Sequence, residues 1–125
     1  MSKPLTVSQG DILRGKIVTP GWYPAVMKAV EDVTSKSTGV EGWKVTFVIE
    51  GNSAFKDVPV DTRFWENAPG FTAPLIAVLT GKPQAESGNY SLDNGVGKRM
   101  MIYVSNGLFN GRKTNQIDDF KPIGQ

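Results

Sequence analysis

The clearest pattern along the chain is a strict alternation of apolar and polar residues in WKVTFVIE, residues 43–50. Every second side chain there is large and apolar, and a period of two residues is typical of a β-strand with one buried face. The segment therefore predicts a half-buried β-strand. The residues expected to face the core are Trp43, Val45, Phe47 and Ile49.

Weaker alternation predicts four more strands, at residues 21–33, 55–64, 99–105 and 112–120. In the first of them, Val30 is expected to share a face with Trp22 and Val26. In the third strand, Pro59 indicates a sheet edge or a bulge, because proline has no N–H to donate to a neighbouring strand. The fourth strand is expected to add its alternate apolar residues to the core: Met100, Ile102 and Val104.

One segment, FTAPLIAVLTGK, has the signals of a short helix over residues 74–80. Thr72 is a candidate N-cap, Pro74 suits the first turn, and Gly81 is a candidate stop. Residues 82–97 form a polar, glycine-rich loop. Between the last two strands, either Asn106-Gly107 or Asn110-Gly111 could form a type I′ hairpin turn.

The predicted order is therefore β-β-β-α-β-β, in an all-β chain. A helix between strands 3 and 4 of five is the arrangement of the OB fold, a five-stranded Greek-key barrel. We expect residues 21–125 to form this single OB-like domain, preceded by a polar N-terminal arm at residues 1–20. A small β-sandwich, in which the helix is incidental, is the alternative.

Composition narrows the possible functions. The 125 residues contain neither cysteine nor histidine, and the net charge is only +2. Disulfides and thiolate metal sites are thus excluded, and the commonest general base and metal ligand are missing. The carboxylate pairs Asp57/Asp61 and Asp118/Asp119 lack the spacing of a hydrolytic site. The segment GVGK at residues 95–98 is too short to match a phosphate-binding loop. We expect no enzymatic activity, no cofactor and no metal.

No apolar run approaches the ~20 residues that a membrane-spanning helix requires. The N-terminal residues also lack the apolar core of a signal peptide. We therefore expect a cytoplasmic protein without a membrane partner.

Three segments carry a family resemblance: PGWYPAVMKAVEDVTSKSTG, WKVTFVIEG and GKRMMIYVSNGLFNGRKTNQIDDFKPI. Together they resemble the small OB-fold single-stranded-DNA-binding proteins encoded by bacteriophages, over most of residues 20–123. The resemblance implies sequence-independent binding of single-stranded DNA, which protects it during phage-type replication or recombination in the host cytoplasm. It implies replication or recombination proteins as further partners and leaves a homo-oligomer open. Bacterial single-stranded-DNA-binding proteins end in an acidic tail, whereas Lys121 follows the last two carboxylates here. The resemblance therefore implies the binding fold and not tail-mediated recruitment.

Binding of single strands requires cations for phosphates and aromatic rings on which bases stack. Residues 96–117 hold four cations, two aromatic residues and no carboxylate. In an OB barrel the last hairpin forms one wall of the groove, the first loop forms the other, and the second strand lies between them. The candidate nucleic-acid-binding residues are Lys36, Lys44, Lys98, Arg99, Tyr103, Phe109, Arg112 and Lys113.

Other interpretations of these residues remain open. Lysines on a hairpin also serve solubility and protect sheet edges. Adjacent Phe64 and Trp65 must point in opposite directions in a strand, so one belongs to the core and the other forms a stacking platform, a subunit contact or packing beneath a turn. Trp22 and Tyr23 raise the same question. The alternative function is that of a structural or assembly β-barrel without nucleic-acid binding.

Overall fold

The computed structural model describes residues 5, 12, 15–51, 53–88, 90–109 and 111–123, with the exception of the side chains of Pro69 and Phe109. Most of the predicted arm at residues 1–20 lies outside this part. No helix within it is long and apolar enough to cross a bilayer. The elements are β1 (Gly21–Thr34), β2 (Glu41–Ile49), β3 (Pro59–Trp65), the helix α1 (Ala73–Thr80), β4 (Arg99–Phe109) and β5 (Arg112–Lys121).

The strands form one antiparallel sheet in the order β3-β2-β1-β4-β5. This five-stranded sheet with its one short α-helix, in the described part of the chain, confirms the all-β class. The predicted closure into a barrel is not seen, because no ladder of hydrogen bonds joins the edge strands β3 and β5 among the described residues. The edges approach each other through side chains instead, since the ring centroids of Phe64 and Phe120 are 6.3 Å apart.

The core lies on one face of this curled sheet, and Phe47 is at its centre. The Phe47 side chain is fully buried, and its ring centroid lies 5.4 Å from that of Phe120. Trp43 packs against the core but remains partly exposed. The predicted alternation is otherwise confirmed, since the remaining expected core residues are all 0% exposed: Val45, Phe47, Ile49, Met100, Ile102 and Val104.

A β-bulge in β1 changes which residues face the core. The register of β1 with β2 shifts between Met27 and Ala29. Met27 is buried, Ala29 is exposed, and Val30 packs against the core. The prediction that Val30 shares a face with Val26 is therefore wrong, because a bulge inserts one unpaired residue and interrupts the alternation.

The ends of β3 and α1 test the predictions made from proline, threonine and glycine. β3 begins at Pro59 rather than at residue 55, because residues 54–57 form a turn. Pro59 opens an edge strand, as predicted, where a missing N–H costs no ladder bond. Gly81 ends α1 in the left-handed conformation, with φ of 71°. Thr72 directly precedes α1, but its hydroxyl makes no capping hydrogen bond.

The β4–β5 hairpin is longer than predicted. β4 runs to Phe109 instead of ending at residue 105. The connection thus follows Phe109 and includes Gly111, and the alternative at Asn106-Gly107 is wrong because that dipeptide pairs with β5 inside the ladder. Asn110 itself is outside the described residues, and Gly111 has φ of 78°, a conformation that glycine adopts without steric cost.

Two asparagines anchor the hairpin to the residues that precede β1. The Asn115 Oδ1 accepts a hydrogen bond from the Val18 amide at 2.9 Å, and its Nδ2 donates to the Lys16 carbonyl at 2.9 Å. The Asn106 Nδ2 donates to the Val18 carbonyl at 3.0 Å. Since the Val18 side chain is 0% exposed, this residue of the predicted arm packs into the core, whereas its neighbours Ile17 and Thr19 are exposed.

Truncation of Phe47 to alanine should lower the free energy of unfolding by about 3–5 kcal/mol, because it leaves a cavity in the centre of the core. The control is Val48→Ala on the opposite face of β2, which should cost about 1 kcal/mol. Denaturant unfolding of both variants measures the difference. A cost for Phe47→Ala no larger than that of the control would contradict the core assignment.

Replacement of Asn115 by alanine should destabilise the protein by about 1–3 kcal/mol, because the Val18 amide and the Lys16 carbonyl lose their partner. Hydrogen exchange at the Val18 amide should accelerate. Gln116→Ala is the matched control, since the neighbouring side chain makes no hydrogen bond to this segment and is exposed. Equal exchange at Val18 in both variants would show that Asn115 does not anchor the segment.

Candidate functional site

Aromatic side chains meet a cation on the sheet face opposite the core. Tyr103 lies between the buried Ile102 and Val104, so its side chain points to the other face. The register pairs it with Trp22, and the two rings form a T-shaped contact with centroids 5.4 Å apart and planes at 74°. The Lys121 Nζ lies 4.3 Å from the centroid of the Trp22 ring. We call Trp22, Tyr103 and Lys121 the outer aromatic cluster.

The outer aromatic cluster offers both a π surface and a positive charge. All three side chains are half-buried, so part of each remains accessible to solvent. An ammonium group over an indole ring is held by the ring quadrupole and still has N–H groups to donate. Asp119, directly opposite Tyr103 on β5, is the nearest acidic neighbour in the register. The arrangement can thus stack a planar ring and attract an anion beside it.

The hairpin continues from this cluster and carries two exposed cations, Arg112 and Lys113. Among the described residues, neither forms an ion pair with a carboxylate. Lys113 lies directly opposite Leu108, whereas Arg112 lies opposite Phe109, so the two cations occupy opposite faces of the hairpin. The end of the hairpin is therefore positively charged on both faces.

Lys98 and Arg99, at the other end of β4, already have partners. The Lys98 Nζ donates to the Leu79 carbonyl at 3.0 Å near the end of α1. The Arg99 Nε lies 3.0 Å from Glu50 Oε2. Glu50 directly follows the end of β2, and its carboxylate thus compensates the positive charge of Arg99.

Lys44 on β2 belongs to an ion-pair network. Its Nζ lies 3.8 Å from Asp61 Oδ2 and 4.0 Å from Glu31 Oε2, and its side chain is only 26% exposed. The Thr46 hydroxyl donates to Asp61 Oδ1 at 2.7 Å. Lys44 and Thr46 do face away from the buried side of β2, as predicted, but the charge of Lys44 is balanced by two acids.

Lys36 is exposed in the loop between β1 and β2. That loop is a closed turn, in which the Ser35 amide donates to the Val40 carbonyl at 2.8 Å and Gly39 has φ of 73°. It lies at the C-terminal end of β1, whereas the hairpin extends beyond the N-terminal end. The structure therefore does not place Lys36 beside the outer aromatic cluster in the sheet register.

Phe109 is the last residue of β4, and its backbone pairs with Arg112. Its side chain lies outside the described part of the structure, so its role in stacking stays a prediction. Tyr103 is the predicted aromatic residue that the structure places in the cluster. Trp22 and Lys121 are the two cluster members outside the predicted set. For Trp22, the alternation in β1 leaves a role as a stacking platform open.

Two pairs of adjacent aromatic residues, Trp22-Tyr23 and Phe64-Trp65, place their side chains on opposite faces of the sheet, as the alternation requires. Tyr23 points to the core side, where its ring makes a T-shaped contact with Phe55 at 5.8 Å, and its hydroxyl donates to the Thr19 carbonyl at 2.5 Å. Burial raises the pKa of the Tyr23 phenol above its usual value of 10.0. Phe64 is buried and Trp65 is half-buried. Trp22 is thus the ring available on the outer face, and Tyr23 anchors the segment before β1.

Comparison with known proteins identifies no family for this chain. No protein-family model matches the chain, and a search of curated proteins finds no match.

Proposed function

We propose that the chain binds single-stranded DNA without sequence preference, on the outer face of β1, β4 and β5. The observation that carries the proposal is the T-shaped contact of Trp22 and Tyr103 with the Lys121 ammonium beside it. Stacking of a base on an exposed aromatic face contributes ~1–3 kcal/mol and accepts any base. A ring and a cation side by side can therefore hold a nucleotide by its base and its phosphate.

The hairpin extends the proposed site away from the sheet. Arg112 and Lys113 are exposed and, within the described residues, have no carboxylate partner, so their charge is available to phosphates. Lys44 and Arg99 contribute less long-range attraction, because Asp61, Glu31 and Glu50 compensate them. The strongest electrostatic contribution is therefore expected from the hairpin.

The strand order supports an OB-type barrel as the finer description of the fold. β1 pairs with both β2 and β4, α1 lies between β3 and β4, and the edge strands approach through Phe64 and Phe120. On such a fold the proposed role is to protect single-stranded DNA during phage-type replication or recombination, in the host cytoplasm. The alternative is a structural or assembly protein without nucleic-acid binding.

Reversal of the hairpin charges, Arg112→Glu with Lys113→Glu, should weaken binding to a fluorescent oligothymidine at low salt. Each lost phosphate contact should flatten the slope of log affinity against log salt by about 0.7. Fluorescence anisotropy over a salt series measures both. The charge-matched control is Arg63→Glu with Lys56→Glu, one exposed arginine and one exposed lysine outside β1, β4 and β5. Equal losses in the two double variants would place the phosphate contacts elsewhere.

Truncation of the stacking rings should have a different signature. Trp22→Ala or Tyr103→Ala should lower affinity about fivefold or more, given ~1–3 kcal/mol per stacked base, and leave the salt slope nearly unchanged. Phe71→Ala is the control, because this ring is 79% exposed and lies outside the cluster. Circular dichroism confirms that each variant is folded. If the unmutated chain binds no single strands at low salt, the proposed function is wrong and the structural alternative stands.

A further inference from the structure

An open pocket of about 470 Å³ lies where β2 begins and β3 ends, beside the loop that follows α1. Its apolar lining combines aromatic and aliphatic side chains, and two carboxylates also line it. We call it the tryptophan pocket, and its lining includes Trp43, Trp65, Tyr90, Ile76, Glu66 and Glu86.

The backbone of β2 holds one wall of the tryptophan pocket in place. Gly42 pairs with Trp65 across the ladder. A Cβ at Gly42 would lie 2.2 Å from the Phe64 carbonyl oxygen and 2.6 Å from Trp65 Cε3, so a side chain there would displace the indole. On the opposite side, the Tyr90 hydroxyl donates to the Glu86 carbonyl at 2.5 Å. The aromatic lining is therefore positioned by the fold itself.

The surroundings of the tryptophan pocket are negatively charged. Glu66 also lines an adjoining pocket of about 340 Å³, together with Asp32 and Glu41. None of these three carboxylates forms an ion pair with a cation in the described part of the chain, whereas Glu86 pairs with Lys82 at 2.8 Å. An apolar pocket beside unbalanced acids suits an apolar side chain that is flanked by a cation.

One face of the hairpin presents that chemistry. Leu108 is 73% exposed, although its backbone is paired in the β4–β5 ladder. Lys113 lies directly opposite it and is also exposed, and side chains paired in this way stand about 5 Å apart at Cβ. The hairpin of this chain thus carries an apolar anchor with an adjacent positive charge.

The hairpin and the tryptophan pocket lie at opposite ends of β1. β4 leaves β1 at the Gly21–Val104 pair and continues outward into the hairpin. The pocket lies by the Asp32–Trp43 pair, near the C-terminal end of β1. The hairpin therefore does not reach the tryptophan pocket of its own copy.

We propose that the Leu108–Lys113 face of one hairpin docks in the tryptophan pocket of a second copy of this chain, with Lys113 beside Glu66. The contact is heterologous, so a docked pair keeps one free pocket on one copy and one free hairpin on the other, and association continues head to tail. One hairpin face covers less than the roughly 1,200 Å² that stable interfaces bury, so the association is weak and sensitive to salt. Arg112 and the outer aromatic cluster lie on the other face of the hairpin and remain free.

Sedimentation velocity of the full chain without nucleic acid, from about 10 μM to about 1 mM, tests the proposal independently of DNA binding. The weight-average mass should rise with concentration, and the rise should shrink in high salt. Leu108→Glu and Glu66→Lys should each raise the dissociation constant by at least about tenfold. The matched controls are Ile123→Glu and Asp93→Lys, which alter an exposed apolar residue and an exposed acid elsewhere and should change nothing.

A mixture of the two interface variants separates head-to-tail docking from other association. Leu108→Glu retains an intact pocket, and Glu66→Lys retains an intact hairpin, so equal amounts should form a dimer that does not grow further. A single monomer mass for the unmutated chain over the whole concentration range would overturn the proposal. So would association that neither variant weakens, or a mixture that stays monomeric while the unmutated chain associates.

Discussion

The pairing of β1 with two different neighbours is the constraint on which the rest of the structure depends. Its 14 residues pair with β4 at one end and with β2 at the other. A straight, evenly pleated strand would keep one face towards the core along its whole length. The bulge between Met27 and Ala29 bends the strand and exchanges the faces, so Met27 and Val30 both reach the core. At the edges of the sheet, Phe64 of β3 meets Phe120 of β5, with ring centroids 6.3 Å apart.

Both proposed surfaces follow from where β1 begins and ends. Its first residues place Trp22 beside Tyr103 on the outer face, and the hairpin continues outward from there. Its last residues lie beside Trp43 and the tryptophan pocket. The asparagines that hold Val18 keep the base of the hairpin fixed to the core. A rigid base holds both faces of the hairpin in fixed positions relative to the core.

The charges show why a count of lysines and arginines is a poor guide to a binding site. The side chains of Lys44 and Arg99 both lie on the sides of their strands that face away from the core. Acids from other strands or turns nevertheless lie within 4.0 Å of them. Arg112 lies at the end of a hairpin, where none of the described acids forms an ion pair with it. The electrostatic character of each cation therefore depends on its cross-strand neighbours, which are distant in sequence.

The sequence by itself determined the local features of this protein. Alternation identified Phe47 and Ile102 as core residues, Pro59 marked an edge, and Gly81 marked the end of the helix, because each signal acts over a few residues. Only the tertiary structure decided the bulge after Met27, the choice between the two Asn-Gly turns and the contact of Trp22 with Tyr103. Those features depend on register, and register is set by packing between strands that are far apart in the chain. The same holds for the open sheet, whose edge strands meet through aromatic side chains, since neither edge carries a local signal for its partner.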